Sequence, residues 1–396
     1  MRMLYNPSTQ LLYTDVSTKK SMTINIGLKG FGRIGHLFTR LTEEDSSLDM
    51  RVVAIAERNN DHKLNNETIA RQHLANLLSD SAYGQFGGTV SVPKEIDGDT
   101  YKFDLNGREV VLFFNRGAAY QIDWSRYDVD VLIDASLTAD KPQTEKQIEE
   151  LRRCLTGTVK RAVVACPHKY VDKTLIVGVN EDQYDPAKHQ VVSASSCTGN
   201  AAAPVVDLID QNYGITYADI ETIHPMQNFE SAVDGVGLTA GMARGSVGNV
   251  KSVDTAVVGS VVAVLPHLKN IKFNTKPLSF RTPTASGCFM RYDLGIKEPV
   301  QGGAEEINSL LQAAAEGPLK GIIGYHEPLM GVMPPNALDV KGMTYAVLIS
   351  PQSTTAYQPF PDNKGNIIRL LGLHDTELGY SACVARTIKE MEKRGL

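Results

Sequence analysis

Short apolar runs separated by charged, helix-prone stretches recur along the first half of the chain. TINIGL (23–28) is short and rich in β-branched residues, which predicts a buried strand. The turn KGFGRIG follows, and Ile34, Leu37, Phe38 and Leu41 then repeat at i, i+3, i+4 and i+7, the spacing of a helix facing a core. VVAIA (52–56) predicts a second strand, so the first segment reads as a βαβ unit. Further strands are expected at VVLFF (110–114), VDVLIDAS (129–136), RAVVAC (161–166), TLIVGV (174–179) and VVSAS (191–195), with a helix over TEKQIEELRRC (144–154). Such alternation predicts a mostly parallel sheet with helices on its faces. Beyond Cys197 the texture changes: residues 215–300 alternate like strands and are rich in glycine, with one helix expected near 253–268. A last helix is expected from about 376, ending in VARTIKEMEKRGL, and PQSTTAYQPFPDNKGN (351–366) reads as a polar, turn-rich excursion.

Composition narrows the class. At 396 residues the chain exceeds what one compact core usually holds, so two domains are expected. Its net charge of −5 advertises no basic surface for nucleic acid or an anionic membrane. No apolar run approaches the roughly 18 residues needed to cross a bilayer. The cysteines, Cys154, Cys166, Cys197, Cys288 and Cys383, form no CxxC pair and no zinc-like spacing, so no metal site is expected. Their odd number points to free thiols in a reducing compartment, with the cytoplasm as the expected location. Residues 1–21 lack the apolar core of a signal peptide and read as an accessory extension, or as sequence upstream of a start at Met22.

Two motifs carry chemistry. Gly30-Phe31-Gly32-Arg33-Ile34-Gly35 is a GxGxxG between a strand and an amphipathic helix, the context in which glycines admit a pyrophosphate to a helix N-terminus. Glu57 ends the next strand, 22 residues after Gly35, where a carboxylate accepts hydrogen bonds from the adenosine ribose. Arg58 beside it could neutralise a 2′-phosphate, so NAD is expected with NADP left open. The second motif is Ser195-Ser196-Cys197-Thr198-Gly199-Asn200, between an apolar strand and a helical pattern. Cys197 is therefore expected at a helix N-terminus, where the dipole would lower its pKa. His224 ends the strand-like DIETIH, 27 residues later, and is a candidate base for that thiol.

GLKGFGRIGHLFTR, SASSCTGNAAAP, TIHPMQN followed by VDG, SFRTPT, GPLKGIIGY and HDTELGYS stand in an order that resembles the phosphorylating glyceraldehyde-3-phosphate dehydrogenases. The resemblance runs from about Thr23 to the C-terminus, with insertions near 58–70 and 351–366. It implies an α/β fold: a Rossmann-type parallel sheet domain plus an α+β catalytic domain with a mainly antiparallel or mixed sheet. The corresponding boundaries are an extension at 1–21, a dinucleotide-binding domain at 22–196 completed by helix 376–396, and a catalytic domain at 197–375. It also implies a nucleophile at Cys197 and a base at His224. Ser196, Thr198 and Thr255 would offer hydroxyls to the attacking inorganic phosphate, Arg281 would reach towards both anion sites, and Tyr380 would lie beside the nicotinamide. A homotetramer is implied as well.

The departures fall on anion and cofactor contacts. Gln227 and Phe229 stand where the resemblance implies threonines for the substrate phosphate, and Thr376 stands in place of an asparagine that fixes the nicotinamide amide. Ala256 replaces a glycine beside Thr255, and Val236 and Gly237 replace a Pro-Ser pair, which relaxes the bar against NADP. The expected activity is phosphorylating oxidation of glyceraldehyde 3-phosphate through a cysteine thioester. Two alternatives stand beside it: another aldehyde such as erythrose 4-phosphate or a non-phosphorylated one, and a dinucleotide-binding module whose catalysis has decayed.

Overall fold

The computed structural model describes residues 23–396 apart from 60–62, 115–118, 138–141, 237–239, 275 and 358–365. The N-terminal extension, Met22, Gly237 and most of the second half of the 351–366 loop therefore lie outside the described residues.

The chain folds as α/β around two sheets. The strands of the first are β1 (Ile24–Lys29), β2 (Met50–Glu57), β3 (Lys94–Asp97), β4 (Thr100–Leu105), β5 (Arg108–Phe114), β6 (Val131–Asp134), β7 (Arg161–Val164), β8 (Lys173–Thr174) and β9 (Val191–Ser193). Their spatial order is β8-β9-β7-β6-β1-β2-β5-β4-β3. Pairing is parallel from β8 through β5, then antiparallel through β4 and β3. The antiparallel edge was not expected, because residues 94–105 are half-exposed and offer no continuous apolar run. TLIVGV forms a strand only at Lys173–Thr174. Beyond it Ile176 accepts from Asn180 in a turn that the Asn180 side chain ties back to Thr174, so the apolar residues are buried without being strand.

The second sheet is mixed. It contains β10 (Ile215–Pro225), β11 (Lys251–Asp254), β12 (Leu278–Thr282), β13 (Cys288–Ile296), β14 (Ile323–Tyr325), β15 (Val347–Ile349) and β16 (Asn366–His374), in the order β11-β12-β10-β13-β16-β15-β14. The helix expected over 253–268 is shorter, since 251–254 is an edge strand and the helix spans only Val257–Val264.

Three helices position the site. The first, α1 (Arg33–Glu44), follows the glycine turn and buries Leu37, Phe38 and Leu41, as the spacing predicts. The second, α2 (Cys197–Tyr213), runs through the centre of the molecule with Ala201, Ala202, Ala203, Val205, Val206 and Ile209 fully buried. Small side chains there let it lie against both β13 and the C-terminal helix, α3 (Leu378–Lys393), and Tyr292 of β13 donates to the Ala201 carbonyl at 2.9 Å. The α3 helix also packs on α1, so the last residues of the chain return to the first sheet. Among the described residues no helix is long and apolar enough to cross a membrane.

Candidate active site

The turn into α2 is strained. Ser195, buried, adopts φ 60°, a left-handed conformation that non-glycine residues enter at a cost of order 1–3 kcal/mol. Its conformation is pinned from three sides: Ser195 N donates to Ser193 Oγ at 3.0 Å, Tyr380 Oη donates to Ser195 O at 2.8 Å, and Asn200 Nδ2 donates to Ala194 O at 2.8 Å. Ser196 then caps the helix, its Oγ accepting from Gly199 N at 2.9 Å. The consequence is that Cys197 is the first residue of α2, half-buried at its N-terminus.

His224 meets it there. The imidazole Nε2 lies 3.8 Å from Cys197 Sγ, and Nδ1 lies 2.7 Å from Pro225 O. A carbonyl can only accept, so Nδ1 carries the proton and Nε2 faces the thiol as an acceptor. Burial and the neighbouring Arg281 guanidinium push the His224 pKa well below its ordinary value, which keeps the ring neutral. The expected depression of the Cys197 pKa is not what the structure gives. Burial pushes the thiol up to about 11 and outweighs the Thr198 N–H and Arg281, both of which pull it down. Thiol and imidazole thus face each other as a neutral pair, set for direct proton transfer.

Strand register explains why these groups converge. In the second sheet His224 pairs with Arg281, Arg281 with Lys251, and Cys288 with His374. Ile223 opposite Phe289 brings Cys288 alongside His224, so one rung reads Lys251, Arg281, His224, Cys288, His374, all buried. Ile223, one residue off the rung, is 47 % exposed, as the pleat requires. Among the described residues both His374 ring nitrogens are buried without a hydrogen-bond partner, and burial lowers that pKa to about 3.

Around the thiol sits a cluster of hydroxyls. Ser196 Oγ lies 3.1 Å from Thr198 Oγ1 and 3.4 Å from Ser260 Oγ. Ser260 was not anticipated from sequence; it faces the site because the helix Val257–Val264 packs on α2. Thr255 is half-buried two residues before that helix. Arg281 Nη2 donates to Gln227 Oε1 at 3.3 Å, whereas Phe229 is 38 % exposed and brings no polar group.

The glycine turn fits a dinucleotide. Gly30 has φ +97°, and a Cβ there would lie 2.7 Å from Ser136 N. At Gly35 a Cβ would meet Gly30 O at 2.6 Å, while at Gly32 it would point into open space at the start of α1. No side chain caps that helix, so its first N–H groups face the opening. Glu57 accepts from Phe31 N and, at 2.7 Å, from Arg58 N, which anchors the carboxylate at the rim; Arg58 itself is exposed. Two side chains of the motif are engaged within the protein. The Phe31 ring is buried edge-on against His36, and Arg33 pairs with Asp80 and with Glu377 at 2.6 Å. Arg33 thereby ties α1 to the start of α3, where Asp375 accepts from Glu377 N and Leu378 N, both at 2.9 Å. This leaves Thr376 buried at the join and Tyr380 on the Ser195 carbonyl.

Comparison with known proteins points the same way. Residues 24–141 match the glyceraldehyde 3-phosphate dehydrogenase NAD binding domain, and residues 196–369 match the C-terminal domain of the same enzyme. The chain is 32 % identical to glyceraldehyde-3-phosphate dehydrogenase 1 of Bacillus cereus over 373 residues, 94 % of this chain and 99 % of that protein. Glyceraldehyde-3-phosphate dehydrogenase of Geobacillus stearothermophilus is 29 % identical over 377 residues, 95 % of this chain and all of that protein. With both domains matched and a relative covered almost end to end, this chain belongs to the glyceraldehyde-3-phosphate dehydrogenase family, the NAD(P)-dependent oxidoreductases of that type.

Proposed function

We propose that the protein carries out the phosphorylating oxidation of glyceraldehyde 3-phosphate through a thioester on Cys197. The observation that carries this reading is the 3.8 Å contact between Cys197 Sγ and the acceptor nitrogen of His224 at the head of a buried helix. Cys197 attacks the aldehyde carbon and its proton passes to His224 Nε2. The imidazolium so formed lies beside Arg281, which disfavours it and drives the proton back to the new alkoxide. His224 then removes the hydroxyl proton of the thiohemiacetal as the carbon is oxidised; a nicotinamide dinucleotide, when bound, would supply the hydride acceptor. Inorganic phosphate, held by Ser196, Thr198, Thr255 and Arg281, attacks the thioester and releases the acyl phosphate. Arg281 also reaches towards the substrate's phosphate, with Gln227 held on its Nη2. Gly30, Gly32, Gly35 and the first N–H groups of α1 would hold the dinucleotide, Glu57 would accept from its ribose, and Thr376 and Tyr380 would face its nicotinamide.

Aldehyde-dependent cofactor reduction, with NAD or NADP and with or without inorganic phosphate, tests the reading. Reduction that needs phosphate and runs faster with NAD is expected. Equal rates without phosphate would remove the acyl-phosphate step.

The assembly belongs to the same reading. Val233, Val236, Val247 and Val250 are 60 % exposed or more on the segment after His224, an apolar surface that suits a neighbouring subunit of a homotetramer. Light scattering should return about four times the 43.2 kDa chain mass; a monomer mass would contradict it. Five cysteines without a disulfide favour a cytoplasmic setting, and a thiol count on protein taken directly from cells, with all five reduced, is the expected check.

A further inference from the structure

Glu230 has no part in the steps above, yet its carboxylate is wholly buried. It lies between two cations, with Lys251 Nζ 2.9 Å from Oε2 and Arg281 Nε 2.8 Å from Oε1. The two cationic side chains are themselves only 5 % and 10 % exposed. Among the described residues neither carboxylate oxygen has an aligned hydrogen bond, so these contacts are held by charge rather than by directed bonding. Lys251 pairs with Arg281, and Arg281 with His224, across adjacent strands, which puts the triad on the rung of the candidate base.

The remaining donors of Arg281 are also committed in part. Nη1 donates to Ser279 Oγ at 2.9 Å and Nη2 to Gln227 Oε1 at 3.3 Å, while Nε points at Glu230. A guanidinium carries five N–H groups, so one remains on each terminal nitrogen. Arg281 therefore has two N–H groups left to offer an anion. The charge behind them is set by the triad: two cations and one carboxylate leave one positive charge. Burying three ions costs desolvation that a hydrophobic trio would avoid, which makes the arrangement informative at an anion site.

We propose that Glu230 is a positioning residue, an internal counter-anion that acts through Arg281 and, with Lys251, sets how strongly the site distinguishes a phosphorylated aldehyde from an uncharged one. The proposal rests on the reading that Arg281 faces the substrate's phosphate. Glu230 weakens the attraction for that phosphate, and Lys251 restores what Glu230 removes.

A charge series tests it. Lys251→Met leaves the cluster neutral, and the wild type and the Glu230→Gln/Lys251→Met double variant each carry one positive charge. Glu230→Gln carries two. The measured quantity is the ratio of kcat/KM for glyceraldehyde 3-phosphate to that for glyceraldehyde. It should rise in charge order, by about tenfold per unit of charge, with the double variant back at the wild-type ratio. Stabilisation of each protein against heat by inorganic phosphate should follow the same order without needing turnover. Recovery in the double variant is the result that a purely structural clasp would not give. If both substrates lose kcat/KM in parallel across the series, Glu230 serves only to hold the loop and the proposal falls. Should the wild type oxidise neither aldehyde, the proposed function fails; a phosphate melting shift that still followed charge would uphold the counter-anion. A melting shift indifferent to charge would overturn it whatever the activity.

Discussion

Cys197→Ser is expected to lower kcat for aldehyde oxidation by ~10⁴-fold or more, while NAD still binds. The substitution exchanges one atom at the first position of α2 and leaves the features that build the turn in place. Ser195 stays pinned by Tyr380 and Ser193, and Ser196 still caps the helix. What disappears is a sulfur that both attacks a carbonyl and leaves from a thioester. The proposed dinucleotide cleft, built from Gly30, Gly32, Gly35 and Glu57 beside the first sheet, does not include the thiol. Steady-state cofactor reduction and a fluorescence titration with NAD read the two halves of the prediction. Turnover by the serine variant close to that of the wild type would remove Cys197 from the nucleophile's role.

His224→Asn is expected to cost ~10²–10⁴-fold in kcat/KM, the usual worth of a positioned base. Asparagine can still donate to the Pro225 carbonyl, so the local fold has a replacement for the bond that orients the ring. The pH dependence carries the sharper test. In the proposed mechanism the wild-type His224 takes the thiol proton directly, and its depressed pKa keeps it unprotonated at neutral pH. In the variant nothing accepts that proton, and the Cys197 thiol, raised to about 11 by burial, is almost wholly protonated at neutral pH. Raising the pH removes the proton, so the variant's rate should climb about tenfold per pH unit between about pH 7 and pH 10. The wild type should climb far less over that interval. A variant profile as flat as the wild type's would show that proton removal from Cys197 does not limit it.

Chemistry written in adjacent residues was legible in the sequence. GxGxxG between a strand and an amphipathic helix, and a cysteine between an apolar strand and a helical pattern, each state their geometry within ten or so residues, because strand and helix periods fix where those side chains point. The thiol's acidity was misjudged for a physical reason. A helix N-terminus is visible in sequence, but the desolvation that outweighs it comes from residues far along the chain. Ser195 in the left-handed region gave no signal either, since serine carries no mark for that conformation and is held there by Tyr380, 185 residues away. Ser260 and the Glu230–Lys251–Arg281 triad were missed for the same reason: they depend on which strands lie side by side. Periodicity also could not separate TLIVGV, buried in a turn, from a buried strand, and it gave no warning of the half-exposed antiparallel edge at 94–105.

A thioester on Cys197 can be trapped. Mixing the protein with NAD and glyceraldehyde 3-phosphate in the absence of inorganic phosphate should give a burst of about one reduced cofactor per chain and then near-arrest. Peptide mass spectrometry of the quenched protein should place the phosphoglyceroyl group on the peptide containing Cys197, and added phosphate should release it and restart turnover. Continuous reduction without phosphate and without any acyl adduct on Cys197 would contradict the account.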